Sequence, residues 1–451
     1  MDFVSTRGTA PTATISEALF QGLAPDGGLY MPRDLPTLSP ADLKTLVNRP
    51  GPDVASAWPH VASSIAARLL APTEDGGGLL GSSVDRLVRS ALDVPVPLVR
   101  FRDRLFILEL FRGPTLAFKD VGARFMAGLM SHLRTGLDTP LTVLTATSGD
   151  TGGAVAQAFF GLPAVRVVVL FPDGKVTPRQ ERQFSTLGAN VQAVAVRGDF
   201  DDCQRLAKAA FGDRELREAT ALTSANSINV GRLLPQTFYY FHAWAQLSRS
   251  VNVQATNAPA ILFSVPSGNF GNLAAGLMAK AMGLPASGFL AATNANAGVP
   301  EYLRTGRYTP APSVRTLSTA MDVGNPSNLD RILHLYGGDL EGLRGDLTGR
   351  SVSDRETTDC IRRVFHETGY VLDPHTAVGF QALEEELARR PDVTGVLLAT
   401  AHPAKFAEVV EPVLGTSLPV PPELARCLEG QRRVIPMDPA FGALRELLVA
   451  G

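Results

Sequence analysis

The segment RGPTLAFKD (112–120) carries Lys119, one of six lysines in a chain that also has 36 arginines. A surface cation could be either type. Chemistry that needs an amine requires lysine, because a guanidinium stays protonated whereas a buried ammonium can lose its proton. Leu116, Ala117 and Phe118 precede Lys119 directly. Desolvation among such neighbours would make the amine a nucleophile toward carbonyl groups. The competing reading is a first-turn lysine on a solvated helix face, since apolar residues recur at helical spacing through TLAFKDVGARFMAGLM. A second loop, PSGNFGN (266–272), has two glycines and two asparagines. These residues allow positive φ and bare the backbone N–H groups. The helix expected after them adds unpaired N–H groups and a positive dipole end. The loop is an anion cradle or a tight βα turn. It matches neither GxxxxGK[ST] nor GxGxxG, which disfavours a nucleoside triphosphate. A third loop, TSGDTGG (147–153), gathers three hydroxyls and an acid at the start of a helical pattern. Ser148 or Asp150 caps that helix, or the loop holds a substrate carboxylate.

Taken together, an amine nucleophile, a phosphate cradle and a carboxylate clamp point to a cofactor with an aldehyde and a phosphate, acting on an amino acid. Pyridoxal 5′-phosphate is that cofactor. The elements around the loops agree. LTVLTA (141–146), ILFSV (261–265) and VTGVLLA (393–399) each run through a tight loop into an Ala-rich helical pattern, and VRVVVLF (165–171) reads as a further strand. This is the signature of βα units and a parallel sheet, in which ligands bind beyond the carboxyl ends of the strands.

The rest of the composition excludes several functions. A net charge of −2 with 19% charged residues gives no general attraction to nucleic acid or to anionic membrane. The three cysteines (Cys203, Cys360, Cys427) and seven histidines are scattered, without CxxC or HExxH, so neither a disulfide framework nor a metal site is expected. No apolar run is long enough to span a bilayer, and the first residues lack the pattern of a signal peptide. A cytoplasmic protein is the expectation. The first 95 or so residues read as amphipathic helices broken by Pro and Gly. SRSVNVQATNAP (248–259) is the best internal boundary, and residues 283–395 mix helices and loops. The division is 1–98 as a helical N-terminal region, 99–255 as a smaller α/β domain and 256–451 as a larger one.

The same motifs resemble the threonine synthase family of pyridoxal-phosphate enzymes. GPTLAFKD is similar to the family's cofactor-lysine segment, TATSGDTGGAVA to its second motif and SVPSGNFGN to its phosphate loop. SANSINVGRLLPQ (224–236), TAHPAKF (400–406), VSTRG (4–8) and GLAPDGGLYMP (22–32) also fit. The resemblance implies fold type II: two parallel-sheet α/β domains with a helical N-terminal extension. It implies that Lys119 carries the cofactor as a Schiff base and later acts as a general base. Gly268, Asn269 and Phe270 would bind the phosphate through N–H groups, with Asn272 where the family usually has Asp. Thr400 would meet the pyridine nitrogen. Ser148, Asp150 and Thr151 would hold the substrate carboxylate, with Asn226, Asn229, Arg232 and Lys405 lining the rest of the substrate site. Arg124 is a further candidate cation, and His402 is structural or catalytic. The implied reaction converts O-phospho-L-homoserine and water into L-threonine and phosphate, in a monomer or small homo-oligomer. The alternatives are a phospholyase or serine/threonine dehydratase that releases a 2-oxo acid, and an inactive homologue that only binds.

Overall fold

Strands form where the short apolar runs predict them, and further strands form where the sequence pattern is weak. The computed structural model describes residues 1–48, 54–72, 78–134, 140–250 and 260–450. In chain order the strands are β1 (Phe3–Ser5), β2 (Tyr30–Pro32), β3 (Leu98–Arg102), β4 (Leu105–Glu109), β5 (Leu141–Ala146), β6 (Val165–Pro172) and β7 (Val191–Val196). They continue with β8 (Leu222–Ser224), β9 (Ala260–Pro266), β10 (Gly288–Thr293), β11 (Leu347–Ser351), β12 (Val393–Ala399) and β13 (Ile435–Met437). β10 and β11 lie within 283–395, which read only as helices and loops. LTGRS in β11 has no alternation to reveal it.

Two sheets carry the molecule. One has six strands in the order β11-β10-β9-β12-β4-β3, and the other has five in the order β13-β7-β6-β5-β8. Every pairing in them is parallel except the β3–β4 hairpin. The strands are largely buried, as expected when helices cover both faces. The sheets do not follow chain order. β3 and β4, from the segment assigned to the smaller domain, join the larger sheet, and β13 crosses back to pair with β7. Of the boundary stretch 248–259, residues 251–259 lie outside the described residues, and Ser248–Ser250 end the helix Gln236–Ser250. No helix among the described residues is long and apolar enough to cross a membrane.

The N-terminal region contains the helices Ile15–Gln21, Pro40–Asn48, Val54–Leu69 and Gly81–Ala91, and also the antiparallel pair β1–β2. Asp26 folds its two motifs together. Its carboxylate accepts from the Ser5 hydroxyl at 2.7 Å, from the Thr9 and Ala10 N–H groups at 3.1 and 3.0 Å, and from the Gly28 N–H at 2.9 Å. The region then braces residues 224–232. Asn229 caps the helix Val230–Leu233 through the Gly231 N–H at 2.9 Å. Its amide donates to the carbonyls of Leu19 and Ser224 at 2.7 and 2.8 Å. The fully buried Arg331 ties the Tyr30, Ser227 and Ile228 carbonyls together at 3.2, 3.0 and 2.6 Å.

Asn229 therefore works as a brace with every polar hydrogen and its carbonyl in use, and not as the substrate ligand anticipated from its motif. Asn229→Ala removes a cap and takes a close donor from two buried carbonyls, so it should cost about 1–3 kcal/mol. Denaturant unfolding checks this, and a loss below about 0.5 kcal/mol, typical of a neutral surface change, would contradict it.

Candidate active site

The chemistry-bearing loops all leave the carboxyl ends of parallel strands. Thr147–Gly149 follows β5, Ser267–Phe270 follows β9, and Thr400 follows β12. Lys119 reaches the same place through a local device. Residues 116–118 lie antiparallel to 400–402, with an isolated bridge between Ala117 and Ala401. The Phe118 N–H donates to the Thr400 carbonyl at 2.8 Å, and the His402 N–H donates to the Leu116 carbonyl at 3.0 Å. Lys119 thus opens the helix Lys119–Leu133 directly beside Thr400.

Around Lys119 the cations outnumber the ionised carboxylates. Lys405 is fully buried, 2.7 Å from Asp150 Oδ1, and donates to the Thr115 carbonyl at 2.7 Å. Gln180 fixes the same Asp150 oxygen at 3.0 Å. Thr115 is itself held by the buried Asp120, through its N–H at 2.9 Å and its hydroxyl at 2.5 Å. Among the described residues the Lys119 ammonium has no hydrogen-bond acceptor. Burial pushes its pKa down to about 8, with Lys405 and Arg232 pushing the same way and Asp150 opposing. Burial works to raise Asp150, but Lys405 and Lys119 together hold its carboxyl well below the usual range. Burial pushes the Asp120 carboxyl up. Burial also takes Arg232 down to about 10, so it keeps its charge at neutral pH. Its Nη1 donates to the Ala225 carbonyl at 2.7 Å, and its buried Nε has no partner.

The two glycine-bearing loops each present unused N–H groups. Those of Gly268 through Asn272 have no acceptor in the protein among the described residues. The loop's positive φ falls on Phe270 (59°) and on neither glycine, contrary to the sequence expectation. Gly268 is required by space instead, since a Cβ there would lie 2.6 Å from Met321 Cα. In the 147–153 loop the helix Asp150–Phe159 starts after Gly149, and the Thr147 hydroxyl accepts from the Gly149 and Gly152 N–H groups at 2.9 and 2.8 Å. Neither Ser148 nor Asp150 caps it. The N–H groups of Ser148, Asp150 and Thr151, and the hydroxyls of Ser148 and Thr151, make no hydrogen bond within the protein among the described residues.

Several of the expected ligands use their side chains as braces. Asn272 donates to the Pro266 carbonyl at 2.8 Å and accepts from the Ser267 hydroxyl at 2.7 Å and the Leu273 N–H at 3.0 Å, so its side chain holds the loop's shape. Asn269 is braced by the Ser227 hydroxyl and the Ser327 N–H, both at 2.6 Å. Asn226 binds the Thr145 hydroxyl and, at 3.1 Å, the Ala146 carbonyl. Arg124 points away, to the Ala91 carbonyl at 2.6 Å and to Asp93. His402 caps the short turn Pro403–Phe406 through the Ala404 N–H at 3.1 Å. The supporting residues Thr147, Gln180, Asn328, which donates to the Asn269 carbonyl at 2.9 Å and accepts from Arg331 at 2.7 Å, and the trio Asp373, His375 and Thr376 were not singled out from sequence. DPHT (373–376) carries only the signature of a helix start, a capping acid followed by proline.

A family model for pyridoxal-phosphate dependent enzymes matches residues 94–399. Fold and site together define an enzyme of this class, with parallel sheets of fold type II and pyridoxal 5′-phosphate as cofactor. Models for the threonine synthase N terminus and C-terminal region match residues 2–68 and 376–448. Threonine synthases of Serratia marcescens and of Escherichia coli K12 are each 43% identical over 436 residues, covering 97% of this chain and 96% of theirs. The solved threonine synthase of Escherichia coli superposes with a TM-score of 0.89 at 41% identity over the whole of both chains. A pyridoxal-phosphate-bound threonine synthase from Brucella melitensis gives 0.89 at 34%, over 100% of this chain and 99% of its own. The chain belongs to the threonine synthase family.

The Asp150–Lys405 pair gives a direct test of these electrostatics. Asp150→Asn leaves a buried ammonium without its counter-charge and should destabilise the protein by about 3–5 kcal/mol. Denaturant unfolding measures it, and a loss under about 1 kcal/mol, the range of exposed pairs, would contradict the pairing.

Proposed function

We propose that this chain converts O-phospho-L-homoserine and water into L-threonine and phosphate, as a cytoplasmic monomer or small homo-oligomer. The observation that carries the reading is the conjunction of one unpartnered, easily neutralised lysine with two loops of unused N–H groups. Lys119 would hold the cofactor's aldehyde, the N–H groups of Gly268 through Asn272 its phosphate, and the Thr400 hydroxyl its ring nitrogen. The fit is supported by the free Lys119 amine and by the cradle at Gly268, which any Cβ would fill. When bound, the cofactor supplies an electron sink for charge developing at the substrate's Cα.

The chain's own residues do the rest. Lys119, with a pKa of about 8, is matched to taking and returning protons near neutral pH at Cα, Cβ and Cγ. Ser148 and Thr151, with the N–H groups of their loop, receive the substrate carboxylate. The Asp150 carboxylate is occupied by Lys405 and Gln180 and holds that loop in place. Arg232, charged and with a buried N–H to spare, is suited to the phosphate that leaves Cγ. Water must then reach Cβ while the amino acid is still held. A 2-oxo acid would be the product if release came first.

Incubating the protein, loaded with cofactor, with O-phospho-L-homoserine should yield L-threonine and phosphate in equal amounts. 2-Oxobutyrate as the sole product would overturn the reading. Lys119→Ala should abolish turnover and the visible absorption of the loaded protein together.

A further inference from the structure

Beyond the residues that would touch the cofactor, one buried carboxylate connects to both ends of its cradle. Asp373 is 1% exposed and sits at the start of the helix Pro374–Arg389. An acid there needs only to accept backbone N–H groups, and Asp373 does so from His375 at 2.9 Å and Thr376 at 3.3 Å. It also binds both side chains. Oδ1 lies 2.8 Å from His375 Nδ1, and Oδ2 accepts from the Thr376 hydroxyl.

Each side chain then reaches one end of the cradle. The Thr376 oxygen accepts the Thr400 N–H at 3.3 Å, and Thr400 in turn accepts the Phe118 N–H beside Lys119. This arm ends at the ring side. His375 Nε2 accepts the Ala320 N–H at 3.1 Å. That contact fixes the tautomer, because Nε2 must be the lone-pair nitrogen and Nδ1–H must donate to Asp373. Ala320 and Met321 form the turn on which Gly268 packs, with only 2.6 Å between Met321 Cα and a Cβ at 268. This arm ends at the phosphate side.

We propose that Asp373 is a positioning residue for the cofactor, setting Thr400 through Thr376 and the Gly268 loop through His375. The inference rests on the cofactor placement proposed above. A carboxylate is needed because each oxygen must accept on its own arm. In Asp373→Asn the amide nitrogen would face a donor on one arm whichever way the group turned, although asparagine caps a helix as well as aspartate does. A mere capping role therefore predicts no effect of that variant.

The test uses cofactor-stripped full-length protein and two probes that each address one end. Pyridoxal, which lacks the phosphate, reports the ring side by its absorption on binding. Inorganic phosphate, competing with pyridoxal 5′-phosphate uptake, reports the other. Thr376→Val should weaken pyridoxal about tenfold, the equivalent of one backbone hydrogen bond, and leave phosphate competition unchanged. Thr376→Ser should restore wild-type binding. His375→Phe, which keeps the ring packed at 4.6 Å on Phe406, should weaken phosphate competition to a similar degree and spare pyridoxal. Asp373→Asn should weaken pyridoxal 5′-phosphate itself at least tenfold while circular dichroism stays native.

Native binding by folded Asp373→Asn overturns the proposal. So does loss at both ends from either single-arm variant, or unfolding of Asp373→Asn alongside single-arm variants that bind normally. Wild-type protein that takes up no pyridoxal 5′-phosphate would overturn the cofactor placement as well, which separates the two failures.

Discussion

The site is organised by the burial of three cations beside a single firmly ionised carboxylate. Lys119, Lys405 and Arg232 converge on a buried volume in which Asp150 is the carboxylate held firmly ionised. Lys405 takes that carboxylate at 2.7 Å, so Lys119 feels its attraction only at a distance and gives up its proton more easily. Of the six lysines, 119 and 405 are the two placed at this centre. Arginine at either position would not do: at 119 it could not become neutral, and at 405 its larger head would not fit a fully buried contact between Asp150 and one carbonyl.

The surrounding fold can be understood as what holds this imbalance in place. Gln180 orients Asp150, and Asp120 orients Thr115, whose carbonyl takes Lys405, so the two groups facing Lys119 are set from different elements. The bridge between Ala117 and Ala401 ties the lysine's segment to the end of β12, so that the amine and Thr400 move as one unit. The N-terminal region contributes no reacting group, but Leu19 and Tyr30 accept from Asn229 and Arg331, and this fixes residues 227–232 and the arginine they carry. Buried cations satisfied only by carbonyls are costly, and both Arg232 and Arg331 are of this kind. A site that must receive anionic groups explains why Arg232 keeps an unpaired N–H, whereas Arg331, which meets four acceptors including the Asn328 side-chain oxygen, is structural.

Much of the proposed site was legible in the sequence, because the groups proposed to react sit in contiguous motifs whose chemistry does not depend on distant neighbours. Lys119, the N–H groups of residues 268–272 and the Ser148–Thr151 turn are of that kind. The asparagines were not legible. Asn226, Asn229 and Asn272 lie in the right motifs, yet an amide's role depends on which way it turns, and tertiary partners such as Leu19 and Ala146 decide that. Neither Ser148 nor Asp150 caps its helix, since Thr147 sits where its hydroxyl reaches two N–H groups at once. The sheets were recovered as βα units but not in their order. Nothing local marks that β4 pairs with β12, nearly 300 residues away, or that β13 returns to β7. Asp373 was invisible for the same reason, because its helix-start signature conceals two long-range contacts.

The central claim is that burial, reinforced by the neighbouring cations Lys405 and Arg232, and not the lysine's identity alone, readies Lys119. Its folded-state pKa is lowered, so the amine should be protonated and unreactive below about 8 and neutral above it. Labelling cofactor-free protein with acetic anhydride across a pH series, and following Lys119 by mass spectrometry, tests this directly. The account predicts a midpoint near about 8, and a midpoint at the ordinary lysine value of 10.5 would contradict it.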